Sequence, residues 1–331
     1  MHPNGEFLMK PERPIIIREV ALRDGLQSES AFVATEDKLR LVQALSRARV
    51  RYLETTSFVS PTAIPQLKDA AELMAQAERE NLTHEVMVPN FKGADRAIAA
   101  RADRLIVFVS ASEAHNRTNV RRSIAESLAD TDAIFAMADK HNVPVAAAIA
   151  VTFGCPYQGQ VPVKDVHHIA EHFVSRGADR ITLADTSGLA NPAQISEAAA
   201  FFRNRMPGVT FCLHLHNNRG IAMANLYAGY LAGIDMFDTS LGGIGGCPNI
   251  PQAAGNLATE DVVFMFEAMG VETGLDLPEL IRAARMLERI LGHPLPGQVM
   301  KSGVPESMSG QADCGELHTS IENKRNISYY K

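Results

Sequence analysis

The chain has 331 residues, 46% hydrophobic and 21% charged, with 23 Gly, 17 Pro and no Trp. That usage is globular and excludes a disordered or fibrous chain. A formal net charge of −6 argues against nucleic acid or an anionic membrane as a partner, and no apolar run approaches the roughly 20 residues of a membrane span.

Apolar, β-branched runs recur along the chain with helical patterns between them. They lie at residues 14–21 (PIIIREVA), 52–58 (YLETTSF), 84–89 (HEVMVP) and 104–111 (RLIVFVSA). Four more follow at 144–151 (PVAAAIAV), 179–186 (DRITLADT), 210–217 (TFCLHLHN) and 236–242 (MFDTSLG). Thr35 before Glu36 and Asp37 reads as an N-cap with first-turn acids. Asn191-Pro192 reads as a cap followed by a first-turn proline, and Gly177 and Gly233 as helix stops. Eight strands alternating with about eight helices predict a (β/α)8 TIM barrel, an α/β fold, rather than an open doubly wound sheet. The barrel is expected over residues 1–275. Residues 276–331 add a C-terminal amphipathic helix, 276–292, and a polar tail after about Pro305.

In such a barrel, reactive groups sit at the C-terminal ends of the strands. That rule selects Arg23-Asp24-Gly25 at the end of strand one, Glu54 on strand two, Asp185 ending strand six and His214 with His216 on strand seven. It also selects the glycine-dense loop of residues 242–248, followed by Asn256. Residues i and i+2 of a strand share a face, so both imidazoles face the barrel axis. They are either a hydrogen-bonded buried pair or metal ligands. Asp24 and the Asn256 amide complete a two-nitrogen, two-oxygen set that suits Mg²⁺ or Mn²⁺, with zinc an alternative. The absence of Cys from the set argues against a structural zinc site.

Arg23 reads either as an ion-pair partner of Glu54 or as a fixed cation for an enolate oxygen, and the two readings are compatible. Cys247, in a flexible polar loop, could deliver or remove a proton, whereas Cys155 and Cys212 read as small buried hydrophobes. Cysteine usage without a close pair fits a reducing compartment, and the first ten residues carry no targeting signal, so a cytoplasmic location is expected. Asn116-Arg117-Thr118 and Arg121-Arg122 read as a solvated helix start, and His167, His168 and His172 as a surface face.

Five segments together resemble the 3-hydroxy-3-methylglutaryl-CoA lyase family. They are Arg23-Asp24-Gly25-Leu26-Gln27, residues 54–61 (ETTSFVSP), His214-x-His216, Gly245-Gly246-Cys247-Pro248 and residues 255–261 (GNLATED). The resemblance implies a metal-dependent barrel lyase running a retro-Claisen cleavage of an acyl-CoA. By position, Asp24, His214, His216 and Asn256 would hold the divalent ion. Arg23, Cys247 and Glu54 would be catalytic residues, with Arg23 stabilising the enolate oxygen. Arg23, Gln27 and Arg219 are expected to bind substrate, and a homodimer is expected.

The chain departs from the family pattern at Asn217-Asn218-Arg219-Gly220, where Asp-Thr-Tyr-Gly is typical after the second histidine. It departs again at Ser28-Glu29-Ser30, in place of Asn-Glu-Lys. Arg219 therefore leaves open a substrate with a differently placed carboxylate, such as citramalyl-CoA, or a longer branched acyl-CoA. A condensing acyltransferase or aldolase on the same barrel is the other enzyme reading, and the Gly-Gly-Cys-Pro loop counts against it. A non-catalytic barrel that binds a CoA thioester or a protein is weighed against by the inward polar groups, which cost core packing.

Overall fold

The computed structural model describes residues 13–246 and 255–305. All eight expected runs form strands: β1 Ile16–Glu19, β2 Tyr52–Ser57, β3 Thr83–Met87, β4 Arg104–Ser110, β5 Val145–Ala150, β6 Arg180–Asp185, β7 Thr210–Leu215 and β8 Met236–Thr239. They pair in parallel in sequence order, and β8 returns to β1 with Ile16 opposite Met236 and Glu19 opposite Thr239, closing the barrel. Strands covered on both faces need near-continuous apolar sequence, which is why the runs stand out without period-2 alternation.

The outer layer is α1 Thr35–Arg47, α2 Ala70–Gln76, α3 Phe91–Ala99, α4 Glu113–Val120, α5 Ile124–Lys140, α6 Val163–Ser175, α7 Pro192–Arg205, α8 Ala222–Leu231 and α9 Thr259–Ala268. Asn191 caps α7 by accepting from the Gln194 N–H, with Pro192 in the first turn. Gly177 and Gly233, at φ 97° and 99°, end the turns after α6 and α8. Thr35 does not cap α1. It is the first helical residue, and its hydroxyl donates to Asp69 across the loop instead.

The added helix is α10, Leu277–Leu291, capped by Asp276 and stopped at left-handed Gly292. Leu277, Leu280, Ile281, Ala284 and Leu287 bury its apolar stripe in the same core as the barrel helices, against α1 and α9. The short α11, Val299–Ser302, follows and adds Val299 and Met300 to that core.

The interior holds a finding the sequence reading did not anticipate. Barrel centres are usually filled with branched aliphatics, but here one layer is ionic. Arg18 on β1 donates from Nε and Nη2 to the two Asp238 oxygens (2.7 and 2.5 Å) and from Nη1 to Glu85 (2.9 Å). Arg180 reaches Glu85 with both Nη atoms, and Arg104 reaches it from the outer side at 3.0 Å. Burial pushes the Glu85 carboxyl up, but the guanidinium groups of Arg18, Arg180 and Arg104 pull harder and hold it at about 2.

Candidate active site

Strand β1 stops at Glu19, earlier than the expected strand end at Gly25. Ala21–Gly25 instead forms a π-type turn in which the Val20 carbonyl accepts from the N–H groups of Arg23, Asp24 and Gly25. Such widened turns often occur at functional sites. This one carries Arg23 and Asp24 back over the barrel mouth, 8% and 5% exposed. A Cβ on Gly25 would come within 2.6 Å of the Ile244 side chain, so only glycine lets the turn seat against the loop after β8.

Asp24 is the hub. Its Oδ1 accepts from Arg23 Nη1 (2.9 Å) and Gln27 Nε2 (2.8 Å), and its Oδ2 accepts from Asn256 Nδ2 (2.8 Å). The same Oδ2 lies 3.8 Å from both His214 Nε2 and His216 Nε2, which are 3.0 Å apart. His214 comes from the end of β7. His216 lies just beyond it, where a bridge to Asn256 draws the two segments together. Burial pushes the Asp24 carboxyl up, but Arg23, His214, His216 and the Asn256 amide outweigh it and hold Asp24 at about 2. His214 shifts the other way. Burial lowers it, and the hydrogen bond to Asp238 with the charges of Asp24 and Asp238 raises it overall.

The donor set fits a divalent cation. Oxygen and nitrogen atoms of Asp24, His214 and His216 lie within 4.8 Å of one another, all buried. The buried Asn256 Oδ1 has no hydrogen-bond partner among the described residues, an acceptor left available beside them. Two imidazoles, a carboxylate and an amide oxygen match an oxygen-preferring ion that keeps open positions.

Arg23 is locked. Its Nε donates to Glu54 Oε1 at 2.6 Å, and Glu54 is 1% exposed on the inner face of β2. The ion pair of the sequence reading forms, and the guanidinium that it fixes also lines the cavity. The cavity measures about 220 Å³ and is bounded by Arg23, Asp24, Gln27, Glu54, His214 and His216 at one end. Met87, Ile106, Phe108, Ala148 and Ala150 form an apolar wall. Gly246 also lines it, and Gly245, at φ 123°, has no room for a Cβ because Asn256 Nδ2 would be 2.5 Å away. Cys247 and Pro248 lie outside the described residues.

Four expectations are revised. Arg219 does not line the cavity. It is exposed, and its Nη1 donates to the carbonyls of Ser187 and Gly188, tying the loop after β7 to the loop after β6. Asp185 is likewise a loop anchor, accepting from the N–H groups of Leu189 and Ala190; burial raises its carboxyl to about 6 against those bonds. Asn116 is not solvated. It is buried and bonds Ser110, Arg122, Ser123 and Ser127, because β4, α4 and the start of α5 pack together. The face of α6 with His167 and His172 is only partly solvated: His172 pairs with Asp132, and His167 packs on Phe201 and Phe202.

Several residues that line the cavity escaped the sequence reading, among them Arg18 of the ionic layer, His115 and Asp238. His115 lines the cavity with its Nδ1 bonded to Ser110 Oγ at 2.7 Å, and burial lowers its pKa. Asp238 contacts His214 Nδ1 at 3.1 Å from β8. Its only sequence signal was a carboxylate inside an otherwise apolar run.

The HMGL-like family profile matches residues 14–287. The chain is 41% identical to hydroxymethylglutaryl-CoA lyase of Bacillus subtilis, covering 88% of this chain and 98% of that one. It is 39% identical to (R)-citramalyl-CoA lyase of Chloroflexus aurantiacus, covering 87% and 95%. A solved HMG-CoA lyase structure from Acinetobacter baumannii, in complex with coenzyme A and 3-methylmalate, superposes with a TM-score of 0.85. It is 37% identical, covering 96% of this chain and all of that one. The profile match, the two relatives and the barrel mouth agree: this chain belongs to the HMGL-like family.

Proposed function

We propose that the protein is a metal-dependent carbon–carbon lyase that cleaves 3-hydroxy-3-methylglutaryl-CoA to acetyl-CoA and acetoacetate. The observation that carries the reading is the buried donor cluster of Asp24, His214, His216 and Asn256 beside a locked Arg23, on a cavity that also has an apolar wall. Asp24, His214, His216 and Asn256 would hold Mg²⁺ or Mn²⁺. Such an ion supplies Lewis-acid polarisation of the substrate's C3 hydroxyl and a neighbouring oxygen.

In the reaction a base takes the C3 hydroxyl proton, C3 becomes a ketone, and the C2–C3 electron pair leaves as the thioester enolate. Protonation at C2 then gives acetyl-CoA. Arg23 meets the enolate oxygen. Held by Glu54, it needs little reorganisation as charge develops, the condition under which a fixed cation contributes most. Gln27, bonded to Asp24, helps orient the carboxylate and faces substrate. Cys247, on the glycine loop, is assigned the proton at C2. The apolar wall of Met87, Ile106, Phe108 and Ala148 keeps water from the enolate.

A second substrate, citramalyl-CoA, is favoured by one observation: the relative that acts on it is nearly as similar as the hydroxymethylglutaryl-CoA lyase. With Arg219 engaged on main-chain carbonyls, a choice between the two substrates does not run through that residue. The test measures acetyl-CoA release from each thioester with Mg²⁺, with Mn²⁺ and with chelator. Fast, chelator-sensitive release from hydroxymethylglutaryl-CoA is expected. Release from citramalyl-CoA alone would move the substrate, and release from neither would overturn the lyase reading.

A further inference from the structure

The ionic layer beneath the site calls for a physical reason. Buried ion pairs add little net stability, since apolar residues of similar volume fill such a space as well or better. Arg18, Glu85 and Asp238 are each no more than 2% exposed, in a layer where aliphatic packing is the norm. Their arrangement is directional. Glu85 and Asp238 grip Arg18 from two sides, and Asp238 spends both oxygens on it. The same Asp238 Oδ2 then faces His214 Nδ1 at 3.1 Å, on the ring edge opposite the Nε2 that faces Asp24 and His216. The imidazole thus sits between a carboxylate below and the cation cluster above.

We propose that Asp238, keyed by Arg18, is a positioning residue for His214: it accepts the Nδ1–H hydrogen bond, so that the Nε2 lone pair is presented to the cation site. This rests on the reading of Asp24, His214 and His216 as cation ligands. A ligating histidine bonded through its other nitrogen to a carboxylate has a fixed tautomer and ring angle, and loss of that partner typically weakens metal binding by roughly 10- to 100-fold. An Asp238 that rotated freely could offer either oxygen or turn away. The two-point grip of Arg18 removes that freedom, because Nε and Nη2 bind the two oxygens in a fixed fork. Cys212 Sγ, 3.1 Å from Oδ1, closes the remaining side of the carboxylate.

The experiment titrates purified protein with Mn²⁺ and follows the free ion by electron paramagnetic resonance, with no turnover involved. Asp238→Asn should weaken Mn²⁺ binding by roughly 10- to 100-fold. Glu85→Gln, which loosens the layer on the far side of Arg18, should lower stability and leave Mn²⁺ affinity within about twofold. Equal Mn²⁺ affinity in Asp238→Asn and the unaltered protein would overturn the proposal, as would an equal loss in Glu85→Gln.

A second measurement needs neither variant to fold. Nitrogen-15 NMR of the unaltered metal-free protein at alkaline pH should show the His214 ring as the Nδ1–H tautomer, with the resonance assigned by its absence in His214→Gln. An Nε2–H tautomer would sink the idea. Failure of the unaltered protein to bind Mn²⁺ would instead remove the cation-site reading, leaving the tautomer result to decide what Asp238 does to His214.

Discussion

The lower barrel layer and the barrel mouth both bury charged and polar side chains and arrange them differently. Below, Arg18, Arg180 and Arg104 converge on Glu85, and Asp238 takes the other face of Arg18, so charge is met by charge on all sides. At the mouth, Asp24, His214 and His216 crowd ring nitrogens and a carboxylate oxygen around one point, and the neighbouring Asn256 Oδ1 has no hydrogen-bond partner among the described residues. In the first arrangement each charged group has an oppositely charged partner, although Arg180 Nε has no hydrogen-bond partner among the described residues. The second leaves a buried acceptor beside a candidate cation site, and that difference separates an ion-paired layer from a candidate reactive one.

The comparison breaks most sharply at Asp24. Asp24→Ala or His214→Ala should cut metal-dependent turnover by about three orders of magnitude, since Lewis-acid stabilisation is worth several kcal/mol. Thermal melting should stay near that of the unaltered chain. Wild-type turnover in either variant would show that the mouth needs no cation.

Glu85→Gln attacks the layer below and should do the reverse. Three guanidinium groups lose a charged partner in a buried site, at a cost of about 3–5 kcal/mol read from urea unfolding. Turnover per folded molecule should be retained. A stability change under about 1 kcal/mol would mean that the layer is better solvated than its burial indicates.

Glu260 gives a pH-dependent contrast. It sits under the turn after β8, accepting from the Gly242 N–H, and burial raises its carboxyl to about 8 against the ordinary 4.5. The folded protein holds this proton up to about pH 8, whereas the unfolded chain releases it near 4.5. Stability from this group is therefore greatest below 4.5 and falls as pH rises toward 8, by at most about 1.4 kcal/mol per unit. Glu260→Gln should flatten that part of the stability-versus-pH curve. An unchanged slope would assign it to other groups.

Arg219→Ala is expected to do least. Losing two hydrogen bonds from an exposed side chain to main-chain carbonyls should cost about 1 kcal/mol or less. The ratio of activity on the two thioesters should not move. A shift in that ratio would return Arg219 to the substrate site.

Much of the site was legible because the chemistry is local. His214 and His216 share a face by strand periodicity, and Arg23, Asp24 and Gln27 lie on one short segment. The ion pair of Arg23 with Glu54 followed from two charged residues near the mouths of adjacent strands, and it forms at 2.6 Å. Other features were hidden because they depend on where the chain goes next. Asn116 looked like a solvated helix start, but its four-partner bonding requires β4, α4 and the start of α5 to pack together. Arg219 looked aimed at substrate, but the loop after β6 presents two carbonyls first.

The sequence by itself determined the eight strands, the added helix with Asp276 and Gly292 at its ends, and the residue types available at the mouth. Those follow from apolar runs, caps and spacing, all short-range properties of the chain. Only the tertiary structure decided that β1 stops at Glu19 so that a π-type turn carries Asp24 to the histidines. It also decided that Arg18, Glu85, Arg180 and Asp238, drawn from four strands, meet on the axis. Those contacts join residues 67 to 220 positions apart. Their geometry is set by the register and closure of the barrel, which no local pattern encodes.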